Sequence, residues 1–329
     1  MRIFITGGTG FIGSRLTERL VAEKHDLILL LRDFAKASTF DNEKVTFIHG
    51  DLFDTEALRK GMRGCEWVFH MAAFTKPWAN DESLPFKTNV NGTINVIEAA
   101  IENNVKKIII ASTGGTLGYS IDGNTVSESN NPDPEYHTQY EKTKAEAEKV
   151  ALKYCASGIN IVIVNPTRVY GPGKLSKSNS LTRIIKLYIS GFWRIMPGDG
   201  NSKGNYVFIN DVVNGLILAA VSGRKGERYI LGGENLTFRE MFDKIGIASG
   251  SKRKIFSLDA GFLRIVIKFP ALLTRVFRIP PIITREWLDK YLNDSIISSD
   301  KAVKELGYKI TPFTEGVSET IRWLKSKQP

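Results

Sequence analysis

A tyrosine and a lysine stand four residues apart, at positions 140 and 144, in the stretch TQYEKTKAEAEKV. Residues at this spacing lie on one face of an α-helix. Thr138 and Glu141 fit a capping box, which would put Tyr140 in the first helical turn. The helix dipole and the Lys144 ammonium would then lower the pKa of the phenol and make it a useful acid–base catalyst near neutral pH. An isolated Tyr-x-x-x-Lys is more often part of an ordinary surface helix, so the interpretation depends on the rest of the chain.

A glycine-rich turn directly follows the first apolar run, in RIFITGGTGFIGSRL. Glycines at a strand-to-helix turn let backbone N–H groups approach a pyrophosphate, and the N-terminal end of the following helix favours the anion. This turn also heads a series of alternating apolar runs and helical patterns, which favours dinucleotide binding over an ordinary turn. The cofactor-binding residues predicted here are Gly7, Thr9, Gly10, Phe11, Ile12 and Gly13.

Six short apolar runs alternate with helical patterns through the first half of the chain: RIFIT, DLILLL, VTFIHG, WVFHMAA, KKIIIAS and NIVIVNP. This alternation predicts an α/β fold with a doubly wound parallel sheet. We expect a dinucleotide-binding domain over residues 1–170, to which residues 206–232 return. Residues 171–205 and 233–329 are expected to form a smaller, mostly helical lobe that binds the substrate.

Composition narrows the class of protein. The chain has 329 residues, of which 42% are hydrophobic and 24% charged, and a formal net charge of +10. The basic residues do not form a long run, so we expect an anionic small molecule as partner and no nucleic acid. Two distant cysteines predict neither a disulfide nor a metal site. The chain opens on a strand pattern, and the apolar stretch at 261–281 is interrupted by charges. We therefore expect a cytoplasmic protein without stable membrane insertion.

The glycine spacing G-x-x-G-x-x-G resembles that of the extended short-chain dehydrogenase/reductase superfamily. HGDL, HMAA, NVNGTINVIEAA and NPTRVYGPG match further segments of that family in the right order. The resemblance implies a Rossmann fold, a homodimer and a cofactor site that also includes Asp51, Leu52, Met71, Ala72, Ala73, Asn89, Tyr140, Lys144 and Pro166. It implies that Tyr140 exchanges a proton with the substrate oxygen while Lys144 holds the nicotinamide ribose. Counting back from Gly118 to the family's catalytic hydroxyl gives Thr113, with Ser112 as its neighbour.

The end of the second strand bears on the choice of cofactor. An acidic residue there accepts hydrogen bonds from the ribose of NAD, whereas a cation accommodates the 2′-phosphate of NADP. In DLILLLRDF the strand ends on Leu31 and Arg32, with Lys36 close behind. NADP is therefore the first choice. A shift of one residue would make Asp33 the ribose ligand, so NAD is the second.

Three residues that depart from the family pattern narrow the choice of reactions that this chain could catalyse. Gly114 and Gly115 stand where sugar-nucleotide dehydratases carry an Asp–Glu pair, and Gly204 stands where the epimerases often carry an arginine. The segments LLLRD, NPTRVYGP and RYILGGENLTFREMFDKI resemble the dihydroflavonol-reductase-like and 3β-hydroxysteroid-dehydrogenase-like branch. The chain is thus expected to reduce a ketone, or oxidise a secondary alcohol, of an apolar substrate without a metal. An NAD-dependent sugar epimerase and a non-catalytic NADP sensor are the alternatives.

Overall fold

Twelve strands lie in the part of the chain that the structure, a computed structural model, describes: residues 1–35, 40, 42–76, 81–129, 134–175, 179–251, 253–259, 261–263 and 285–327. They are β1 (Arg2–Thr6), β2 (Asp26–Leu31), β3 (Val45–His49), β4 (Trp67–His70), β5 (Lys107–Ala111), β6 (Ile161–Pro166), β7 (Arg168–Tyr170), β8 (Ile195–Pro197), β9 (Lys203–Phe208), β10 (Arg228–Leu231), β11 (Glu234–Thr237) and β12 (Phe256–Leu258).

Seven of these strands form one parallel sheet in the order β10-β6-β5-β4-β1-β2-β3. Its first six strands in the chain are the six apolar runs, so the predicted doubly wound sheet is confirmed. The strand order reverses between β1 and β4, where the crossovers leave in opposite directions. In sheets of this kind a crevice opens at that point, outside the carboxyl ends of the strands, and it is where ligands bind.

Eleven helices lie in the described residues, and several of them cover both faces of the large sheet. They are α1 (Phe11–Ala22), α2 (Thr55–Met62), α3 (Leu84–Phe86), α4 (Gly92–Glu102), α5 (Gln139–Ala156), α6 (Ser180–Ile189), α7 (Ile209–Ser222), α8 (Phe238–Ser249), α9 (Arg285–Leu292), α10 (Asp300–Leu306) and α11 (Phe313–Ser326). Successive residues of a strand point to opposite faces. Accordingly, Ile3 and Ile5 join the core on one face while Phe4 joins the core on the other. This explains why the strands are continuously apolar rather than alternating.

Two smaller sheets lie beyond the carboxyl half of the large one. β9 pairs with β7 in parallel and with β11 antiparallel, and β8 pairs in parallel with β12. Aromatic contacts join the helices around them: the ring of Tyr188 on α6 lies 5.2 Å from that of Phe242 on α8, and Phe238 lies 5.3 Å from Tyr291 on α9. The division of the chain into a dinucleotide-binding domain and a smaller substrate lobe stays a prediction.

Cys65 and Cys155 are free and buried. Within the described ranges we find no cluster of three or more His, Cys, Asp or Glu side chains that could hold a metal ion. None of the helices in those ranges has the length and apolar character needed to cross a bilayer. Most of the apolar stretch at 261–281 lies outside the described residues.

Candidate active site

Helix α5, which carries Tyr140 and Lys144, begins where the sequence predicted. Thr138 is the N-cap, its Oγ1 accepts a hydrogen bond from the Glu141 N–H at 3.1 Å, and its own N–H donates to Glu141 Oε2 at 3.1 Å. In this capping box, two reciprocal hydrogen bonds give partners to two backbone N–H groups that the start of a helix would otherwise leave unbonded. Tyr140 therefore lies in the first turn and is half-buried. Lys144 follows one turn later on the same face.

Lys144 is the most unusual side chain in this region. It is 1% exposed, and its Nζ has no hydrogen-bond partner among the described residues. Burial lowers its pKa to about 8, and the negative charge of Glu148 partly opposes that shift. A buried ammonium without a partner costs free energy unless something else hydrogen-bonds it. The Lys144 ammonium is therefore available as a hydrogen-bond donor to a ligand.

The expectation that Tyr140 has a lowered pKa is wrong for this protein chain on its own. Burial, and then the carboxylates of Glu141 and Glu148, raise the pKa of the phenol above its ordinary value. The sequence shows the Lys144 ammonium and the start of the helix, both of which favour the phenolate. It does not show that the phenol is buried, which disfavours the phenolate, or that the charges of Glu141 and Glu148 act on it.

Glu148 was missed by sequence reasoning, although it continues the spacing of Tyr140 and Lys144 by one more turn. It is 3% exposed, and its carboxylate accepts hydrogen bonds from Ser112, from Thr116 Oγ1 at 2.7 Å and from Asn165 Nδ2 at 2.8 Å. Arg228 lies 3.5 Å away as an ion-pair partner. Glu148 thus fixes α5 against the ends of β5, β6 and β10. The signal in the sequence was that Glu148 follows Lys144 at the same four-residue interval at which Lys144 follows Tyr140.

The structure separates the two hydroxyl candidates at the end of β5. Ser112 is buried and donates to Glu148, so it faces the core of the molecule. Thr113 is half-buried and caps the 3₁₀ turn Gly114–Leu117, with its Oγ1 accepting from the Gly115 N–H at 3.3 Å. Its hydroxyl hydrogen is not used by that contact. Thr113 is the one of the two that can still donate to a ligand.

The glycine turn between β1 and α1 can be built only with glycine at two positions. Gly7 has a φ of +70°, and a Cβ there would stand 2.6 Å from the backbone nitrogen of Ala72. A Cβ on Gly13 would stand 2.2 Å from the carbonyl oxygen of Gly7. Gly10 closes the turn by donating its N–H to Gly7 O at 2.9 Å, and α1 begins at Phe11. The N–H groups at the start of α1 therefore face the carboxyl edge of the sheet.

The other predicted residues of this turn take different positions. Thr9 and Ile12 are half-buried at its rim, whereas Phe11 is buried. A Cβ on Gly173 would meet the ring of Phe11 at 3.2 Å, so that ring packs under the loop after β7. Phe11 supports the turn through its ring and can offer a ligand only its backbone.

The segments after β3, β4 and β6 border the same crevice. Asp51 is half-buried and holds its own loop, because its Oδ1 accepts from the N–H of Phe53 at 2.7 Å. Leu52 and Pro166 are buried, while the chain after β4 is half-buried at Met71, Ala72 and Ala73. These residues lie at the carboxyl ends of strands in the same parallel sheet, so the structure brings them to one edge.

Asn89 lies in a π-helical segment, Lys87–Asn91, between α3 and α4. Its Oδ1 accepts from the Phe74 N–H at 2.7 Å, and its Nδ2 donates to Thr143 Oγ1 at 2.9 Å and to Phe74 O at 3.2 Å. Both amide hydrogens are therefore used within the protein. Asn89 ties the loop after β4 to the catalytic helix, which sequence reasoning could not distinguish from direct contact with a cofactor.

A buried histidine connects these elements through a directed chain of hydrogen bonds. Thr93 Oγ1 donates its one hydrogen to Asn89 O at 2.6 Å, so it must accept from Nε2–H of His70 at 3.0 Å. Nδ1 of His70 is then the acceptor for Thr6 Oγ1 at 2.8 Å, and Thr6 accepts in turn from the Ala72 N–H. Burial and the charge of Lys144 lower the pKa of His70 to about 3. His70 is thus a neutral structural link between β1, β4 and α4.

Arg32 and Asp33 follow β2 at the far side of the crevice. β2 ends at Leu31, and both residues are exposed. Asp33 Oδ1 accepts from the Ala35 N–H at 3.0 Å, so this carboxylate is engaged in a local turn. Lys36, the second cation named for this position, lies outside the described residues.

Space at two glycines bears on the choice of reaction. A Cβ on Gly115 would stand 2.7 Å from Cγ of Glu141, so an acidic side chain there would displace the capping glutamate. A Cβ on Gly204 would stand 2.1 Å from Nη1 of Arg168. The guanidinium of Arg168 already fills that space, 4.7 Å from the ring centroid of Tyr291 and 5.6 Å from that of Tyr206. A larger side chain at Gly115 or Gly204 would therefore require Glu141 or Arg168 to move.

A nicotinamide dinucleotide fits these residues on two independent observations. The turn at Gly7 and Gly13 leaves no room for a Cβ, as expected where backbone must approach a pyrophosphate closely. At the other end of the crevice, the buried Lys144 ammonium lacks a partner within the described residues. One end of the site thus suits phosphate and the other suits the hydroxyls of a ribose.

Comparison with known proteins identifies the family. Residues 3–232 match the NAD dependent epimerase/dehydratase family, and the chain belongs to it. The resemblance to the extended short-chain dehydrogenase/reductases is thus confirmed, and the chain is an NAD(P)-dependent enzyme of that type.

Similar proteins span nearly the whole length. A Synechocystis sp. protein provisionally named dihydroflavonol 4-reductase is 28% identical, with 98% of this chain and 94% of that protein covered. A ketoreductase of Stigmatella aurantiaca, for 4-hydroxy-2-methyl-3-oxo-4-farnesyl-3,4-dihydroquinoline-1-oxide, is 29% identical over 94% of this chain and 92% of its own. The crystal structure of gox2253 has a TM-score of 0.82 and 32% identity, with 98% of each chain covered.

Proposed function

We propose that this protein is an NADP-dependent reductase of a ketone or aldehyde on a small apolar substrate, also able to run in the direction of alcohol oxidation. The observation that carries this proposal is the pairing, on one face of α5, of Tyr140 with the buried Lys144, whose ammonium has no partner among the described residues. Reductase names among full-length relatives support the direction of the chemistry.

The residues would divide the work by position. NADPH, when bound, supplies the hydride that reaches the carbonyl carbon. The N–H groups at the start of α1 would hold its pyrophosphate, and Lys144 would hold hydroxyls of its nicotinamide ribose. Thr113 would donate a hydrogen bond to the substrate oxygen, and Tyr140 would give that oxygen its proton during reduction. In this scheme Lys144 offsets the negative charge that Tyr140 acquires.

The high pKa of Tyr140 suits reduction better than oxidation. A phenol whose pKa is raised by burial and by two carboxylates stays protonated at neutral pH. It is therefore ready to give a proton to a carbonyl oxygen. Alcohol oxidation needs the phenolate, and we expect it to require a higher pH or the added positive charge of an oxidised cofactor.

The preference for NADP rests on Arg32, which is exposed directly after β2, while the carboxylate of Asp33 is occupied by the N–H of Ala35. Titration of the purified protein with NADPH and with NADH, followed by fluorescence, tests it. We expect NADPH to bind at least about tenfold more tightly, and Arg32→Glu to remove the difference, because a phosphate–guanidinium contact contributes on the order of 1–3 kcal/mol.

Arg63→Glu is a matched control for that titration. Arg63 is exposed at the carboxyl-terminal end of α2, on the side of the sheet where the strands begin and away from the crevice. It should leave both affinities unchanged. Equal or tighter binding of NADH, or protein purified with NAD already bound, would refute the cofactor assignment and favour an epimerase that recycles its cofactor.

A further inference from the structure

The positive charge of this protein is concentrated in two segments of the sequence. Residues 174–198 and 244–284 contain 13 lysines and arginines and a single acidic residue, Asp259, so together they carry a formal charge of +12. Since the whole chain carries +10, all its other residues sum to −2. The proposed reaction does not account for this separation, because the anionic cofactor is expected at the turn after β1.

The described parts of the two segments meet in space. β8 from the first pairs with β12 from the second, with Ile195 opposite Phe256. Arg253 Nη2 donates to Ile189 O at 3.3 Å, which ties the second segment to the end of α6. A Cβ on Gly191 would lie 3.4 Å from Nη2 of Arg194 and 3.7 Å from Cζ of Arg253, so the two guanidinium groups converge there.

Large apolar side chains are exposed among these cations. Phe192 is 82% exposed, Phe256 50% and Ile195 36%. Lys254 Nζ lies 5.5 Å from the centroid of the Phe256 ring. The loop that carries Phe192 is held in place, because the N–H groups of Phe192 and Trp193 both donate to Leu187 O. We call this surface the basic aromatic patch: Phe192, Arg194, Ile195, Arg253, Lys254 and Phe256.

None of the three cations of the patch forms an ion pair with a carboxylate of the described residues. Exposed apolar side chains that lie together among polar ones mark interaction surfaces, whereas single scattered ones are ordinary. Aromatic rings with neighbouring lysines and arginines suit the boundary between lipid headgroups and acyl chains, where rings enter and cations meet phosphates. A protein partner would have to present an acidic, apolar face of its own, whereas an anionic bilayer presents both properties everywhere.

We propose that the basic aromatic patch docks this protein on the surface of an anionic lipid bilayer, without a spanning helix. Phe192 enters the interface and Arg194, Arg253 and Lys254 contact lipid phosphates. A few cations and one inserted ring support reversible attachment to the bilayer surface. This inference concerns a surface apart from the crevice and holds whether or not the proposed reaction is correct.

Co-sedimentation with vesicles tests the proposal on the full-length protein. The two vesicle types are phosphatidylcholine alone and phosphatidylcholine with one third phosphatidylglycerol. We expect binding to the anionic vesicles and little to the neutral ones, with weaker binding at high salt. Phe192→Ser and Arg194→Glu should each weaken binding about tenfold, because each removes on the order of 1.4 kcal/mol or more.

Two variants elsewhere on the surface serve as controls. Ile121→Ser removes an apolar side chain that is 67% exposed, and Lys325→Glu reverses an exposed charge at the end of α11. Both should bind vesicles like the wild type, and all four variants should bind NADPH with unchanged affinity, which shows that they fold.

Several results would overturn the inference. Equal binding to both vesicle types, or unchanged binding by Phe192→Ser and Arg194→Glu, would exclude the patch as a lipid-binding surface. Self-association in the absence of vesicles that Phe192→Ser abolishes would identify it as an interface between two copies of the chain. Binding to duplex DNA in place of vesicles, lost in Arg194→Glu, would assign it to nucleic acid.

Discussion

Neutralising Glu148 should change the pH range in which the site works. Burial lowers the pKa of Lys144 to about 8, and the charge of Glu148 raises it in opposition. The two side chains are one helical turn apart, roughly 6 Å. At an effective dielectric constant of about 20, a unit charge at that distance contributes about 3 kcal/mol, or about 2 pKa units. The groups that hydrogen-bond or pair with Glu148 screen part of its interaction with Lys144. Glu148→Gln should therefore lower the pKa of Lys144 by about one to two pH units.

The assay is the affinity for NADPH as a function of pH, since this readout needs no substrate. In the wild type the affinity should fall as the pH rises through about 8, where Lys144 loses its proton. In Glu148→Gln the same fall should occur about one to two pH units lower. The other titratable groups that act on Lys144 or Tyr140 do not mimic this shift, because His70 is neutral above pH about 3 and Tyr140 stays protonated.

Two controls separate the charge of Glu148 from its packing. Glu146→Gln neutralises a carboxylate on the same helix that is paired with Lys149 at 3.0 Å near the surface, and should leave the profile unchanged. Thr116→Val removes one hydrogen-bond donor to Glu148 but keeps its charge. It should reduce stability without moving the profile. A Glu148→Gln profile that superimposes on the wild type would refute the reasoning.

Three further substitutions test the roles assigned to polar side chains around the site. The pKa of His70 is about 3 in the folded protein and 6.5 in the unfolded chain, so the unfolded state binds the extra proton as the pH falls from 6.5 towards 3. Because of His70, the free energy of unfolding should be about 3 kcal/mol lower at pH 4 than at pH 7. Urea unfolding of His70→Asn should show a smaller loss over this pH range. A loss equal to that of the wild type would contradict the assignment of His70 as a neutral structural link. Ser112→Ala should destabilise the protein by about 1–2 kcal/mol with little change in turnover. Thr113→Val should instead lower turnover more than about tenfold at unchanged stability, and the reverse pattern in kinetics and unfolding would make Ser112 the catalytic hydroxyl.

Much of the fold could be predicted because its signals are local. The apolar runs are continuous since β1, β4, β5 and β6 are buried on both faces, and that property is visible without any tertiary information. The capping box at Thr138 is likewise fixed by residues three apart. Domain boundaries stay a prediction, as do the homodimer and the cytoplasmic location.

The parts of the site that could not be predicted depend on what lies across space. In sequence, Glu148 is one of several glutamates in a polar helix. Only the fold places Ser112, Asn165 and Arg228 around it. Asn89 has the right type to bind a ribose, but Phe74 and Thr143 occupy its amide. The sign of the Tyr140 pKa shift was missed for the same reason, since burial and the charge of Glu148 are properties of the folded chain.

The most direct measurement is the oxidation of NADPH by a panel of cyclic apolar ketones, compared in the wild type, Tyr140→Phe and Tyr154→Phe. Tyr154 lies on the same helix and donates to Glu98 Oε1 at 3.0 Å at the surface. We expect Tyr140→Phe to bind NADPH within about twofold of the wild type but to lose at least about 100-fold in turnover, because it lacks the proton donor. Tyr154→Phe should keep full turnover. Turnover by Tyr140→Phe at the wild-type rate would contradict the central role of this phenol.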